Sequence, residues 1–154
     1  VAPPLSFSLF ASARKVAAMT PPIAAAIFYA GWTLAIAALG IAAPRVVQVL
    51  LRRKPANSWT GGALEGPPLQ QRITRAHANC VENLPVFAVV VFGLHLAQVS
   101  GPTIDQLAIA VAVARVGQTV VHIASGSAMA VNVRFTFYLA QIVCIVAMVA
   151  MAVV

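Results

Sequence analysis

Acidic side chains are nearly missing from this chain. Glu65, Glu82 and Asp105 are the only three, against ten lysines and arginines. All charged residues together make up 8% of the sequence, where a soluble domain carries about 25%. So little charge excludes an ordinary water-soluble domain, because most of such a surface would go unwetted. It also excludes a disordered chain, since too little charge opposes collapse. Two cysteines in so apolar a chain give no disulfide framework. His77, His95 and His122 lack the spacing of a metal site, such as HxxxH with a partner carboxylate. What is present is apolar surface: 61% of the 154 residues are hydrophobic and the mean hydropathy is +0.92. The pI near 10.8 suggests nucleic acid at first sight. The basic residues, however, cluster beside apolar runs, as membrane topology signals do, so no nucleic-acid partner is expected.

Stretches of about 20 apolar residues cross a ~30 Å hydrocarbon core, so the chain has room for about four crossings. The spacing of apolar runs and breakers predicts helices over about 23–51, 70–98, 103–124 and 131–153. The first ends in Arg52-Arg53-Lys54-Pro55, a basic stop followed by a helix breaker, and Pro44-Arg45 interrupts it. A Gly- and Pro-rich connection, Pro55 to Gln71, leads to the second, which Ser100-Gly101-Pro102 closes. Thr103 is a candidate cap of the third, with Asp105 in its first turn, and Ser125-Gly126-Ser127 ends it. Pro85 is expected to kink the second helix. Gly31, Gly40, Gly93 and Gly117 read as close-packing positions.

Residues 1–18 read as a disordered or interfacial extension ahead of the transmembrane domain, 19–154. The apolar run Leu5 to Ala11 is short, and Arg14-Lys15 follow it, the reverse of a signal peptide. Arg52, Arg53, Lys54, Arg72, Arg75 and Arg134 fall on one side of the four spans. By the positive-inside rule the first loop is cytoplasmic and both termini are outside.

A charge at the centre of a spanning helix costs about 2.5–3.5 kcal/mol on insertion scales. Three helices nevertheless carry a polar stripe at spacings of three and four: Arg72, Arg75, Asn79 and Glu82; Arg115, Gln118 and His122; Arg134, Tyr138 and Gln141. None of these stripes suits lipid, so they must converge on one another or on a second subunit. An internal ion-pair network built on Glu82 is one account of them. Four arginines facing one glutamate leave a surplus of positive charge, however, and that surplus points to an anion-binding cavity. An anion channel fits less well, because the outer half of each span is too apolar.

The core of the second helix, Arg75-x3-Asn79-x2-Glu82-x2-Pro85, resembles the signature of the MAPEG superfamily, the membrane-associated proteins of eicosanoid and glutathione metabolism, in a bacterial-type member. The likeness runs from about Ile23 to Val154 and includes Ala114-Arg115-Val116 with His122. It implies a four-helix transmembrane bundle assembled as a homotrimer in a bacterial inner membrane, with glutathione as co-substrate bound between neighbouring subunits. It implies a transferase or peroxidase acting on lipophilic electrophiles or lipid hydroperoxides, the alternative being a member that binds lipid or glutathione without turnover. On the matching positions, Arg75 and Asn79 would hold a carboxylate end of glutathione and Glu82 its amino group. His77 stands where the family often has Gln, and Arg52 or Arg53 would reach a neighbour's site. Arg115, Gln118 and His122 would line the site, and Arg134 would be the catalytic arginine that stabilises the thiolate. Lowering a thiol pKa from about 8.5 by two units needs about 2.7 kcal/mol, which one partly desolvated arginine can supply. Asn83, Gln118 and His122 depart from the tyrosines and other aromatic residues of several active members. The gap from His122 to Arg134 is also longer than theirs.

Overall fold

A computed structural model describes residues 19–59 and 64–153. The extension at 1–18 therefore lies outside the described residues. Four helices are long and apolar enough to cross a membrane: α1 (Pro21–Leu50), α2 (Pro68–Leu96), α3 (Pro102–Ala124) and α4 (Ala128–Val153). The shortest has 23 residues, about 35 Å at ~1.5 Å per residue, which exceeds the hydrocarbon thickness. No strand forms among the described residues. The chain is an all-α, multi-pass membrane protein with a four-helix transmembrane bundle.

Two of the chain reversals share a design. The backbone bonds Arg52 N to Val49 O and Arg53 N to Gln48 O close α1, and Gln98 N to His95 O and Val99 N to Leu94 O close α2. Both are Schellman closures, with Arg52 at φ 54° and Gln98 at φ 57° in the left-handed conformation that usually selects glycine. Helix α3 starts earlier than the sequence suggests. Gly101 precedes Pro102 at its first position, and no side chain caps it, so Thr103 is not the cap; Asp105 does lie in the first turn. Helix α4 starts at Ala128, and Ser127 Oγ accepts from Ala130 N at 3.2 Å. That polar N-cap moves the start three residues ahead of the apolar run at Val131.

Pro44 does not break α1. Residues Ile36–Ala42 form a π-helical segment, and the α-helix resumes at Ala43. A proline has no N–H for the carbonyl four residues back, here that of Gly40, and its ring crowds that carbonyl. Gln70 Nε2 from α2 takes the vacated role, donating to Gly40 O at 3.0 Å. Gly40 also permits the contact, because a Cβ there would lie 2.7 Å from Ile73 Cγ2. Pro85, by contrast, leaves α2 one continuous helix.

The core is a column of Tyr29 and Ile36 from α1, Phe87, Val91 and Leu94 from α2, Ile104, Ala108 and Val111 from α3, and Ile145 and Met148 from α4. Helix α3 is the most enclosed of the four. At Gly117 a Cβ would sit 2.7 Å from Phe137 Cζ, so α3 and α4 approach as closely as a glycine allows. Gly31 and Gly93 are different: nothing lies within 4 Å of a Cβ at either, so they are not packing positions within the chain. Leu34, Leu39, Val89 and Val143 turn outward, as side chains that meet lipid do.

Candidate functional site

The three polar stripes meet. A cavity of about 380 Å³ is lined by Arg75, Asn79, Glu82 and Asn83 from α2, Arg115, Gln118 and His122 from α3, and Val131, Arg134, Phe135 and Tyr138 from α4. Helical spacing puts each set on one face. The antiparallel packing then brings the early part of α2, the late part of α3 and the early part of α4 to the same end of the bundle.

Arg72 leaves the stripe that the sequence assigns it. Its Nε donates to Ile123 O at 2.9 Å, in the last turn of α3. A helix C-terminus has carbonyls without intrahelical donors and partial negative charge, so this arginine is used as a cap. The same bond ties the start of α2 to the end of α3, next to the junction before α4.

The remaining polar groups divide into those the chain satisfies and those it leaves open. Asn79 Nδ2 lies 3.3 Å from His122 Nδ1. The amide can only donate there, so the ring proton belongs on Nε2. Gln141 Nε2 donates to Gln118 Oε1 at 3.0 Å and to Phe137 O at 2.9 Å, a bridge behind the cavity wall between α3 and α4. Its Oε1 has no partner.

Arg115 is 1% exposed, and its Nε and Nη2 have no hydrogen-bond partner. Its guanidinium carbon stands 5.2 Å from the centre of the Tyr29 ring, a cation–π contact that supports the charge without neutralising it. Tyr29 is itself held, since its hydroxyl donates to Cys80 O at 3.3 Å and its ring centroid lies 5.9 Å from that of Phe87. Thr119 adds a second anchor. Trp32 Nε1 donates to its Oγ1 at 3.4 Å, and that hydroxyl donates to Arg115 O at 2.9 Å. The buried arginine therefore rests in a rigid frame with part of its donor capacity unused.

Glu82 forms no ion pair with Arg75 or Arg115 among the described residues. Arg75 and Glu82 on α2 are exposed, as are Val131, Phe135 and Tyr138 on α4, so the cavity opens between these two helices, with Arg134 half-buried and Arg115 at its back. The internal ion-pair account of the stripes is thus not the arrangement seen. Three guanidinium groups and one carboxylate line one concavity without cancelling each other.

Of the residues that the sequence nominates, Arg75, Asn79, Glu82, Arg115, Gln118, His122 and Arg134 line this cavity. The long segment between His122 and Arg134 does not turn Arg134 away: a short break and the Ser127 cap start α4 early enough to bring it in. His77, half-buried on α2, does not line the cavity. Arg52 and Arg53, exposed at the end of α1, do not line it either. Sequence reasoning had Tyr138 on the α4 stripe without assigning it to the site. Its place one turn after Arg134 was the available signal. Phe135 and Val131 carried none, because an apolar residue in an apolar helix is not distinctive.

No curated protein matches this sequence. The model of the MAPEG family matches residues 22–154, which takes in all four helices but for Pro21 and every residue lining the cavity. The chain belongs to the MAPEG family, membrane proteins of glutathione-related transferase, peroxidase or related function.

Proposed function

We propose that the cavity binds glutathione and that the chain uses the bound thiolate against lipophilic electrophiles or lipid hydroperoxides drawn from the bilayer. One observation carries the reading: Arg75, Arg115 and Arg134 converge with Asn79 and Glu82 on one concavity of about 380 Å³, within the size range of small-molecule sites. Glutathione has two carboxylates, one ammonium and one thiol. Arg75 and Asn79 receive a carboxylate, Glu82 receives the ammonium, and Arg134 stabilises the sulfur anion, with Arg115, Gln118 and His122 completing the wall. In conjugation the sulfur forms a bond to carbon, and the leaving group departs with the electron pair. In peroxide reduction two glutathiones become one disulfide while the hydroperoxide becomes an alcohol and water.

The exposure of Arg75 and Glu82 supports a site completed by a second copy of the chain. Arg52 and Arg53, which do not reach the cavity of their own subunit, are the groups we assign to a neighbour's site in a homotrimer. His77 stays a secondary candidate on the same grounds. The transmembrane domain is residues 19–154, preceded by the extension at 1–18. A cytoplasmic first loop in a bacterial inner membrane would put the cavity in the reducing compartment, where glutathione is available.

The test uses purified trimer in detergent. Glutathione should give thiolate absorbance and conjugate 1-chloro-2,4-dinitrobenzene, and Arg134→Ala should lose both. If Arg134→Ala leaves both unchanged, the assignment of that arginine is wrong. A second reading, binding without turnover, is favoured by one observation. Gln118 accepts from Gln141 and His122 pairs with Asn79, where a phenol could otherwise stand, which leaves Tyr138 as the one phenol on the cavity wall. Glutathione binding with neither conjugation nor peroxidase activity across several substrates would select it.

A further inference from the structure

A second cavity, of about 540 Å³, lies against the end of α1, lined by Ile41, Ala42, Arg45, Val46, Val49, Leu50, Ala56 and Trp59. Its character differs from that of the glutathione cavity. The helix wall is aliphatic, and the polar part is confined to the end where the chain leaves the membrane. There Arg45 Cζ and Lys54 Nζ each stand 5.9 Å from the centre of the Trp59 ring. Residues 43–59 contain four cations, Arg45, Arg52, Arg53 and Lys54, and no acidic side chain.

Two cations drawn to one indole repel each other. The ring quadrupole offsets only part of that repulsion, since a cation–π contact is weaker than a charge pair. An anion beside the ring would complete the arrangement. The aliphatic wall argues against a small soluble anion, which gains nothing from Ile41, Val46 and Val49. A molecule with an anionic head and an apolar chain matches both parts at once. Tryptophan at the end of a membrane helix is also where an amphipathic ring is most stable, at the depth of lipid headgroups. A basic cluster just beyond a spanning helix draws anionic lipid by the same electrostatics.

We propose that this groove is a binding site for one anionic phospholipid, its phosphate between Arg45 and Lys54 beside Trp59 and an acyl chain along Ile41, Val46 and Val49. Neither Arg45 nor Lys54 lines the Arg75–Arg134 cavity of this chain, and neither is among the residues assigned to a neighbour's glutathione.

The test places the full chain, carrying Trp32→Phe so that Trp59 is its only indole, in bilayers of mixed phosphatidylglycerol and phosphatidylcholine. One lipid at a time carries brominated chains that quench the indole. The expected result is stronger quenching by brominated phosphatidylglycerol at equal mole fraction. Each cation near the surface contributes about fivefold to anionic preference. Arg45→Gln with Lys54→Gln should therefore reduce the preference roughly twenty-five-fold, towards unity. Arg45→Lys with Lys54→Arg, which keeps both charges, should retain most of it, and this pair decides the matter if the neutral variant fails to fold. Equal quenching by the two lipids would overturn the proposal. So would a preference that survives the neutral variant with helical content unchanged. Displacement by millimolar glycerol phosphate, or by glutathione, would show a soluble-anion site and also overturn it.

Discussion

Replacing Arg115 by methionine separates a charge kept for a ligand from a charge kept for the fold. The side chain is 1% exposed at membrane depth, with two guanidinium nitrogens lacking partners. A buried donor left unpaired costs about 1–3 kcal/mol, and a cation near the centre of a span about 2.5–3.5 kcal/mol on insertion scales. The contact with Tyr29 returns about 0.5–2 kcal/mol. These terms leave the arginine a net liability in the ligand-free protein. Buried ionic groups replaced by apolar residues of similar volume often leave stability equal or higher by about 1–4 kcal/mol. Arg115→Met should therefore stabilise the ligand-free protein by roughly 1–2 kcal/mol in a reversible unfolding titration in mixed micelles. The same variant should weaken glutathione binding at least tenfold by calorimetry, since an anion in the cavity loses a desolvated partner. A loss of more than ~1 kcal/mol without ligand would refute the reasoning, because the charge would then belong to the scaffold through Tyr29. Unchanged glutathione affinity would remove Arg115 from the site.

Other expectations follow from single contacts. Gln70→Ala should cost about 1–2 kcal/mol by stranding the Gly40 carbonyl, and that cost should shrink in a Pro44→Ala background, where a backbone N–H returns; equal losses in both backgrounds would dissociate Gln70 from the proline. Gly117→Val should cost about 1–3 kcal/mol by overpacking against the Phe137 ring, with partial recovery on adding Phe137→Leu, read from thermal midpoints in detergent. Ser127→Ala should cost about 1 kcal/mol through loss of the α4 cap, whereas Ser127→Asp should hold the midpoint within a degree or two.

The bundle was legible because composition and the long apolar runs left no other solution. Helical spacing also sufficed to say which side chains share a face. It did not fix depth along that face, and Arg72 shows the consequence. It belongs to the same stripe as Arg75, but one turn lower it meets the end of α3, where a carbonyl claims it before any ligand can. The π segment was hidden for a related reason. Pro44 announces a disturbance, yet whether the helix breaks, kinks or widens depends on what becomes of the Gly40 carbonyl. The group that binds it, Gln70, lies 30 residues away in the chain. Gly31 and Gly93 look like Gly40 and Gly117 in sequence, and only the neighbouring helix distinguishes a close approach from an open face. The length of the gap after His122 does not by itself place Arg134. The Ser127 cap decides its position, because the fourth helix then begins at Ala128 rather than at the apolar run.

The surplus of positive charge that first set this chain apart is sorted by surroundings. Arg72 meets a helix end, whose carbonyls give it a local acceptor at 2.9 Å. Arg45 and Lys54 meet an indole at the edge of the apolar span. Arg75, Arg115 and Arg134 meet one another across a concavity with a single carboxylate. The first has a local use as a helix cap, and for the second group the partner proposed above is an anion that brings its own apolar tail. For the third, the ligand proposed above is an anion that also carries a cation, since the same concavity holds Glu82 beside its arginines. A zwitterionic peptide with excess negative charge satisfies that condition, whereas a simple carboxylate or a phosphate leaves Glu82 without a match. Glu82→Gln should therefore weaken glutathione more than it weakens an analogue lacking the amino group. Equal loss for both ligands would show that the carboxylate shapes the cavity without reading the ligand's charge.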